Sequence, residues 1–305
     1  MATINKYLIV IAGPTGVGKT ALAVKLAKYF NTEIISADSR QFYKETTIGT
    51  AKPTDEELAE VPHHFVNTLS IHQNYNIGDF EKDVINKLNQ LFEKKQLVFM
   101  VGGSGLYINA VLYGLDEFFD VQDAVRDKIK EDYYSKGIIW LQEQLKKHDP
   151  LYFEEVDTNN PQRMMRALEI CIQSGKPYSA FLSNTKKKRN FKPVKILINA
   201  PREILYEKIN SRVDKMIASG LTEEARSLYP YKNLNALNTV GYKELFMHFN
   251  DEISKEEAVD LIKQKTRNYA KRQLTWFKNQ DTFEEFSPGD FDKIKSYIER
   301  IIQQP

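Results

Sequence analysis

Cysteine is almost missing from this 305-residue chain. The one present, Cys171, has no partner for an internal disulfide, and its neighbours Ile170 and Ile172 mark it as a small core residue in a reducing compartment. Also missing is any apolar run long enough to span a bilayer. The run Tyr7-Leu8-Ile9-Val10-Ile11-Ala12 is too short, and it leads into a glycine-rich turn instead of a cleavage site, so a soluble cytoplasmic protein is expected. Charge of one sign is not in excess: 43 basic residues face 41 acidic ones, a net of +2, which argues neither for nor against a nucleic-acid partner. No internal repeat or low-complexity segment is evident. His63-His64 stand without a Cys or Glu at ligand spacing, so a loop contact is expected of them and not a metal site. A hydrophobic content of 42% is enough for a real core, and the length exceeds what one core usually covers; one large domain with an insertion, or two domains, follows.

What the chain does have is Gly13-Pro14-Thr15-Gly16-Val17-Gly18-Lys19-Thr20, which meets the phosphate-loop pattern G-x-x-x-x-G-K-[ST] at every fixed position. The apolar, β-rich segment before it reads as a buried parallel strand. From Ala21 to Phe30 apolar residues recur at helical spacing. Glycines let several N–H groups converge on one anion, the helix adds its positive end, Lys19 supplies a point charge, and the Thr20 hydroxyl suits magnesium.

Glu33 to Ala37 reads as a second strand ending in Asp38-Ser39-Arg40-Gln41. Open parallel sheets bind ligands beyond their carboxyl ends, so this tetrad is expected to face the same crevice as the phosphate loop. Asp38 is then a candidate to hold magnesium, to take a proton or to cap a helix. Residues 42–78, including Gly49-Thr50-Ala51-Lys52-Pro53, read as loops around the site. Asp79 to Lys95 is an amphipathic helix, Leu97 to Val101 a third buried strand, and Gly102-Gly103-Ser104-Gly105 brings backbone close to the sheet's edge.

Strand character disappears between about Asp116 and Phe191. Helices are expected at Asp123 to Lys136, Ile138 to Lys147 and Pro161 to Ser174, the last with Asn160 as N-cap, Pro161 at its first position and Gly175 past its end. Its apolar face is Met164, Ala167, Leu168 and Cys171. Gln162, Arg163 and Arg166 lie off that face, and arginines near a helix N-terminus oppose the macrodipole. An anionic partner accounts for them, and so does a salt bridge to Asp157 or Glu169. Arg126 has an ordinary solvated-face explanation. After the basic linker Lys186 to Lys192, Val194 to Ala200 returns to strand character, so the helical stretch is an insertion. In the next helix Arg212 lies at the edge of an apolar stripe, either snorkelling or pinned to an anion. Ser254-Lys255-Glu256-Glu257 is a capping box for a final long helix. From Leu261 to Gln280 that helix has six basic residues, no acidic ones, and Tyr269, Trp276 and Phe277 interleaved, which suggests RNA contact or a solvated basic face.

Together, Gly13 to Thr20, Ser36 to Gln41, Gly49 to Pro53, Val101 to Tyr107, Pro161-Gln162-Arg163 with Arg166 to Glu169, Ser211 to Asp214, Gly241 to Glu244 and Ala270 to Trp276 resemble, in order, the motifs of the tRNA dimethylallyltransferase family. Ser104 stands where that family commonly has Thr. The resemblance implies a phosphate-loop α/β core over residues 1–115 and 192–305 and a helical tRNA-binding insertion over 116–191. It implies transfer of a dimethylallyl group from dimethylallyl diphosphate to N6 of the adenosine just 3′ of the anticodon, with magnesium, by a monomer that needs no membrane. Residues Gly13 to Thr20, with Lys19, Thr20 and Arg212, would then hold the diphosphate, and Asp38 would be the base. Ser39, Arg40 and Gln41 would line the adenine's way in, Ser104 and Arg126 would touch the tRNA, and Gln162, Arg163, Met164, Met165 and Arg166 would grip the anticodon loop. A phosphate-loop kinase of a small metabolite and an adenylate prenyltransferase are the alternatives.

Overall fold

A computed structural model of the chain describes residues 5–116, 118–183 and 185–303. These residues divide into two compact units, one of residues 1–113 and 188–305 and the other of residues 114–187.

The larger unit is built on a six-stranded sheet among the described residues: β1 (Tyr7–Ala12), β2 (Ile34–Ser36), β3 (His63–His64), β4 (Leu97–Gly102), β5 (Lys192–Ile198) and β6 (Glu284–Phe286). Their order is β3-β2-β4-β1-β5-β6 and every pairing is parallel. All six residues of the central strand β1 are buried, as a strand covered on both faces requires. Its period of two splits them: Tyr7, Ile9 and Ile11 enter one core layer, Leu8, Val10 and Ala12 the other. A one-residue slip of β1 would exchange the two sets between layers packed around side chains of other shapes.

In chain order the helices are α1 (Lys19–Tyr29), α2 (Asp55–Glu60), α3 (Ile77–Leu91), α4 (Gly105–Tyr113), α5 (Asp123–His148), α6 (Pro150–Glu155), α7 (Pro161–Ser174), α8 (Arg202–Ala218), α9 (Leu221–Leu228), α10 (Tyr242–Phe249), α11 (Lys255–Gln280) and α12 (Phe291–Gln303). α1, α8 and α12 cover one face of the sheet through Leu22, Leu26, Leu205, Ile209, Ile294 and Ile298. α3 and α4 cover the other through Phe80, Val84, Leu88, Ile108 and Val111. α11 serves both layers, with Ala270 in the first and Phe277 in the second. Ser254 and Glu257 close the capping box expected at its start. It is not the final helix, however. β6 and α12 follow it, and β6 escaped notice because three largely exposed residues carry no alternating pattern. α3 begins two residues earlier than expected, because Asn76 accepts from the amides of Gly78 and Asp79 while Asp79 accepts from that of Asn76. Residues 42–78 are not all loop: they hold α2 and the edge strand β3.

A third cluster joins Tyr43 and Ile71 to Val213, Leu221, Ala225, Tyr242, Leu245 and Ile262. Glu224 pins a loop to it. Its carboxylate accepts from the amides of Thr47, Ile48 and Gly49 at 2.8–2.9 Å and from the Tyr242 hydroxyl at 2.6 Å.

The smaller unit is helical. Met164, Met165, Ala167 and Leu168 of α7 pack against Ile129, Leu141 and Leu145 of α5. The two helices expected on either side of Gly137 form one span broken there, where the glycine takes φ 81°. Asn160 and Gly175 cap α7 as expected, and Cys171 is buried. Among the described residues no helix is long and apolar enough to cross a membrane.

Replacing Glu224 by Ala leaves three amides and a buried phenol without their acceptor. The expected loss is about 3 kcal/mol, read as a Tm lower by on the order of 5 °C or more; an unchanged Tm would contradict the pinning role.

Candidate active site

The phosphate loop runs from the carboxyl end of β1 into α1. Gly16 and Gly18 take φ of 80° and 107°, in the left-handed region that glycine tolerates, and this turns successive amides to one side. Among the described residues the amides of Gly16, Val17 and Gly18 donate to no loop, turn or side-chain acceptor, so three N–H groups and the positive end of α1 are free for an anion. The Thr15 amide is different: it donates to Oε1 of Gln273 at 2.9 Å.

Lys19 folds back over its own loop, its Nζ donating to the Pro14 carbonyl at 2.8 Å. Burial brings its pKa down to about 8; the charge of Asp38 opposes that shift and the charge of Arg212 adds to it. Arg212, on α8, is also lowered by burial and supported by Asp38; a guanidinium remains charged throughout the working range. Two cations thus share one carboxylate.

Asp38 lies just past the end of β2. Its Oδ1 accepts from the Arg40 amide at 3.0 Å, a local turn and not a helix cap, since no helix begins there. Among the described residues Oδ2 has no hydrogen-bond partner. Beside it the Ser39 amide donates to Ser104 Oγ at 3.2 Å. Asp38, Ser39, Arg40, Thr15, Arg212 and Tyr269 line a crevice of about 380 Å³. The expectation that the tetrad and the phosphate loop share one crevice is met for Asp38, Ser39 and Arg40.

The structure gives several residues a role other than the one expected. The Arg40 guanidinium donates to the carbonyls of Asn235, Ala236 and Asn238 at 2.9–3.3 Å, so it clamps the loop before α10 while its side chain lines the crevice. Gln41 accepts from the Ser36 hydroxyl and donates to the carbonyls of Thr50 and Ala51; it fixes the crevice wall. Three of the six basic residues between Leu261 and Gln280 of α11 are answered from other elements, Lys263 by Asp214 at 2.6 Å, Lys265 by Glu244 at 3.0 Å and Lys278 by Glu285 at 3.5 Å. Lys243 and Tyr269, which line the crevice, were not singled out as site residues from the sequence. Burial and the charge of Asp38 push the Tyr269 hydroxyl up to about 12.

In the helical unit Glu169 draws two of the expected RNA contacts together. Its Oε2 lies 3.2 Å from Arg166 Nη1 and 3.9 Å from Arg126 Nε. Arg126 also meets Asp123 at 3.1 Å, and Arg166 lies over the Phe118 ring at 5.7 Å. Gln162 and Arg163 are exposed. Met164 and Met165 correct the expectation of RNA contact: they are 0% and 8% exposed, and their side chains fill the core of the unit.

No group of three or more His, Cys, Asp or Glu side chains among the described residues stands at ligand distance for a metal. The Thr20 hydroxyl, in the first turn of α1, is the donor available beside the cradle.

Binding of inorganic diphosphate is expected to favour charged Lys19, the form present below about pH 8. The ratio of wild-type to Lys19→Gln affinity should therefore fall on the order of tenfold between pH 7 and pH 9, and comparing the two proteins cancels the ionisation of the ligand. A pH-independent ratio in calorimetric titrations would contradict the placement of Lys19.

The family model described as IPP transferase matches residues 41–280. A tRNA dimethylallyltransferase of Christiangramia forsetii is 53% identical over 96% of this chain and 99% of its own length. One of Flavobacterium johnsoniae is 50% identical over 96% and 97%. Among solved structures, the tRNA isopentenylpyrophosphate transferase of Bacillus halodurans superposes with a TM-score of 0.71 at 36% identity, covering 98% of this chain and 96% of that one. A eukaryotic dimethylallyltransferase acting on tRNA superposes with a TM-score of 0.78 at 28% identity, covering 98% and 78%. With Thr15 of the phosphate loop, the Asp38 carboxylate and Arg212 lining one crevice, and with relatives matched over nearly their whole length, this chain belongs to the IPP transferase family.

Proposed function

We propose that the protein transfers a dimethylallyl group from dimethylallyl diphosphate to N6 of the adenosine just 3′ of the anticodon in tRNA, releasing diphosphate. The observation that carries this reading is that the Asp38 carboxylate lines one crevice with Thr15 of the phosphate loop and with Arg212. That is what displacement at an allylic carbon needs: cations and amides where the leaving group gains charge, and a base where the nucleophile loses a proton.

As the C–O bond weakens, its electron pair passes to the diphosphate oxygen. The amides of Gly16, Val17 and Gly18, the Lys19 ammonium and the Arg212 guanidinium stabilise that charge more in the transition state than in the bound donor. The N6 lone pair forms the new bond to the allylic carbon. Asp38 accepts a hydrogen bond from the amine, aims it and takes its proton. The adenine must leave its stack to reach this base. Tyr269, whose hydroxyl stays protonated, lines the space it would occupy.

A hydroxyl with no carboxylate cage suits magnesium that arrives with a diphosphate, since the ion keeps most of its waters and binds chiefly through substrate oxygens. Thr20 would hold it, and its chemistry there is neutralisation of leaving-group charge. In the helical unit, Arg126, Arg163 and Arg166 offer cations to the RNA backbone. A free nucleotide would need no such unit, which favours tRNA over AMP as acceptor. A tRNA acceptor supports a cytoplasmic location for the protein.

The test is transfer of label from radiolabelled dimethylallyl diphosphate, with magnesium, to unmodified tRNA, to AMP and to buffer in parallel. Label is expected on the tRNA adenosine beside the anticodon. Label in AMP alone would make the protein an adenylate prenyltransferase, and label in neither would overturn the reading in favour of a kinase, checked by ATP consumption.

A further inference from the structure

Gln273 is a polar side chain 7% exposed in the middle of α11. Its carboxamide spans two loops. Oε1 accepts from the Thr15 amide at 2.9 Å, and Nε2 donates to the Gly103 carbonyl at 2.9 Å. Both partners are backbone groups of fixed polarity, one a donor and the other an acceptor, so the amide fits in a single orientation. The approach of the loop is close: a Cβ on Gly103 would lie 2.2 Å from Nε2 of Gln273. A buried amide costs free energy unless it is bonded, yet α11 would pack here with a leucine or methionine of similar volume. Helix packing alone does not account for a glutamine.

The two loops it joins carry the two halves of the site. Thr15 belongs to the diphosphate cradle. Gly103 adjoins Ser104, whose hydroxyl oxygen accepts from the Ser39 amide and whose hydroxyl donates to Ser39 Oγ at 3.4 Å, and Ser39 follows Asp38. A line of hydrogen bonds therefore runs from the cradle through Gln273 to the residue beside the base. β1 and β4 are adjacent in the sheet, but beyond Ala12 and Gly102 the ladder ends and the two loops are free to part. We infer that Gln273 is a positioning residue that holds the diphosphate cradle and Asp38 at the separation the displacement requires. It touches neither donor nor acceptor. Its contribution lies in the reacting distance, where an error of about 1 Å costs on the order of a hundredfold in rate.

This inference rests on the proposed prenyl transfer, and the test separates the two. In steady-state assays over a range of donor and tRNA concentrations, Gln273→Met, which keeps the volume and removes both bonds, is expected to lower kcat by about 30–100-fold while the KM values for donor and tRNA move by less than about threefold. Gln273→Glu keeps the acceptor for Thr15 and loses the donor to Gly103, except when its buried carboxyl is protonated. Its kcat relative to wild type should therefore rise as the pH falls from 8.5 to 6. A helix-packing role predicts wild-type kcat for the apolar, volume-matched Met variant; should that variant fail to fold, recovery of kcat in the Glu variant with no matching change in its Tm over the same pH range decides the question. A Met variant within about threefold of wild type, a loss confined to KM, or a Glu ratio that is flat with pH would overturn the inference. Failure of the wild-type protein to transfer label would remove the functional reading and this one with it.

Discussion

Two partly enclosed cations and one carboxylate govern this molecule. Taking Lys19 and Arg212 out of water costs free energy that a single Asp38 charge repays only in part, as the lowered pKa of both basic groups indicates. The excess suits a polyanion: in the proposed reaction a diphosphate would supply the missing negative charge and keep Lys19 protonated to higher pH. The same imbalance would serve the proposed chemistry, because the site would be most stable when the negative charge on the leaving group is greatest, which is the condition for transition-state stabilisation without equally tight holding of the donor.

The sheet places these groups without special devices. β1, β2 and β4 end side by side, and open parallel sheets gather their ligands beyond the strands' carboxyl ends. β1 leads into the phosphate loop, β2 into Asp38, and β4 into the loop of Gly103 and Ser104. α11 crosses both core layers at that end, which is why one helix can bond the cradle through Gln273 and line the acceptor's crevice through Tyr269. Glu224, Arg40 and Gln41 tie down the remaining wall through backbone groups of the loops around residues 47–51 and 235–238.

Much of this is legible in the residues. The phosphate loop declares itself because its glycines, lysine and threonine sit at fixed spacing between an apolar strand and an apolar-faced helix. Asp38 follows from strand polarity alone. The helical unit was marked by loss of strand character and by the Asn160, Pro161 and Gly175 signals around α7. Other features depend on tertiary partners and leave no local trace. Half of the basic run of α11 is paired with Asp214, Glu244 and Glu285, carboxylates that lie outside that run in the sequence. Arg40 and Gln41 look like substrate contacts because the carbonyls they bind lie elsewhere in the chain, nearly two hundred residues away in the case of Arg40. Gln273, one polar residue in a polar helix, shows its burial only in three dimensions. Met164 and Met165 were the reverse case: the apolar face already named Met164 as core, and proximity in sequence to the arginines obscured it.

In the helical unit Glu169 draws Arg126 and Arg166 together and Asp123 pairs with Arg126, while Arg163 stays exposed. The proposed transfer turns on one group, Asp38. The most direct measurement is the single-turnover rate of Asp38→Asn at pH 7 with donor and tRNA saturating, alongside its affinities for inorganic diphosphate and for tRNA. A rate lower by on the order of a hundredfold or more, with both affinities retained, is the result expected of a residue that aims and deprotonates the amine. A rate equal to that of the wild-type protein would contradict it.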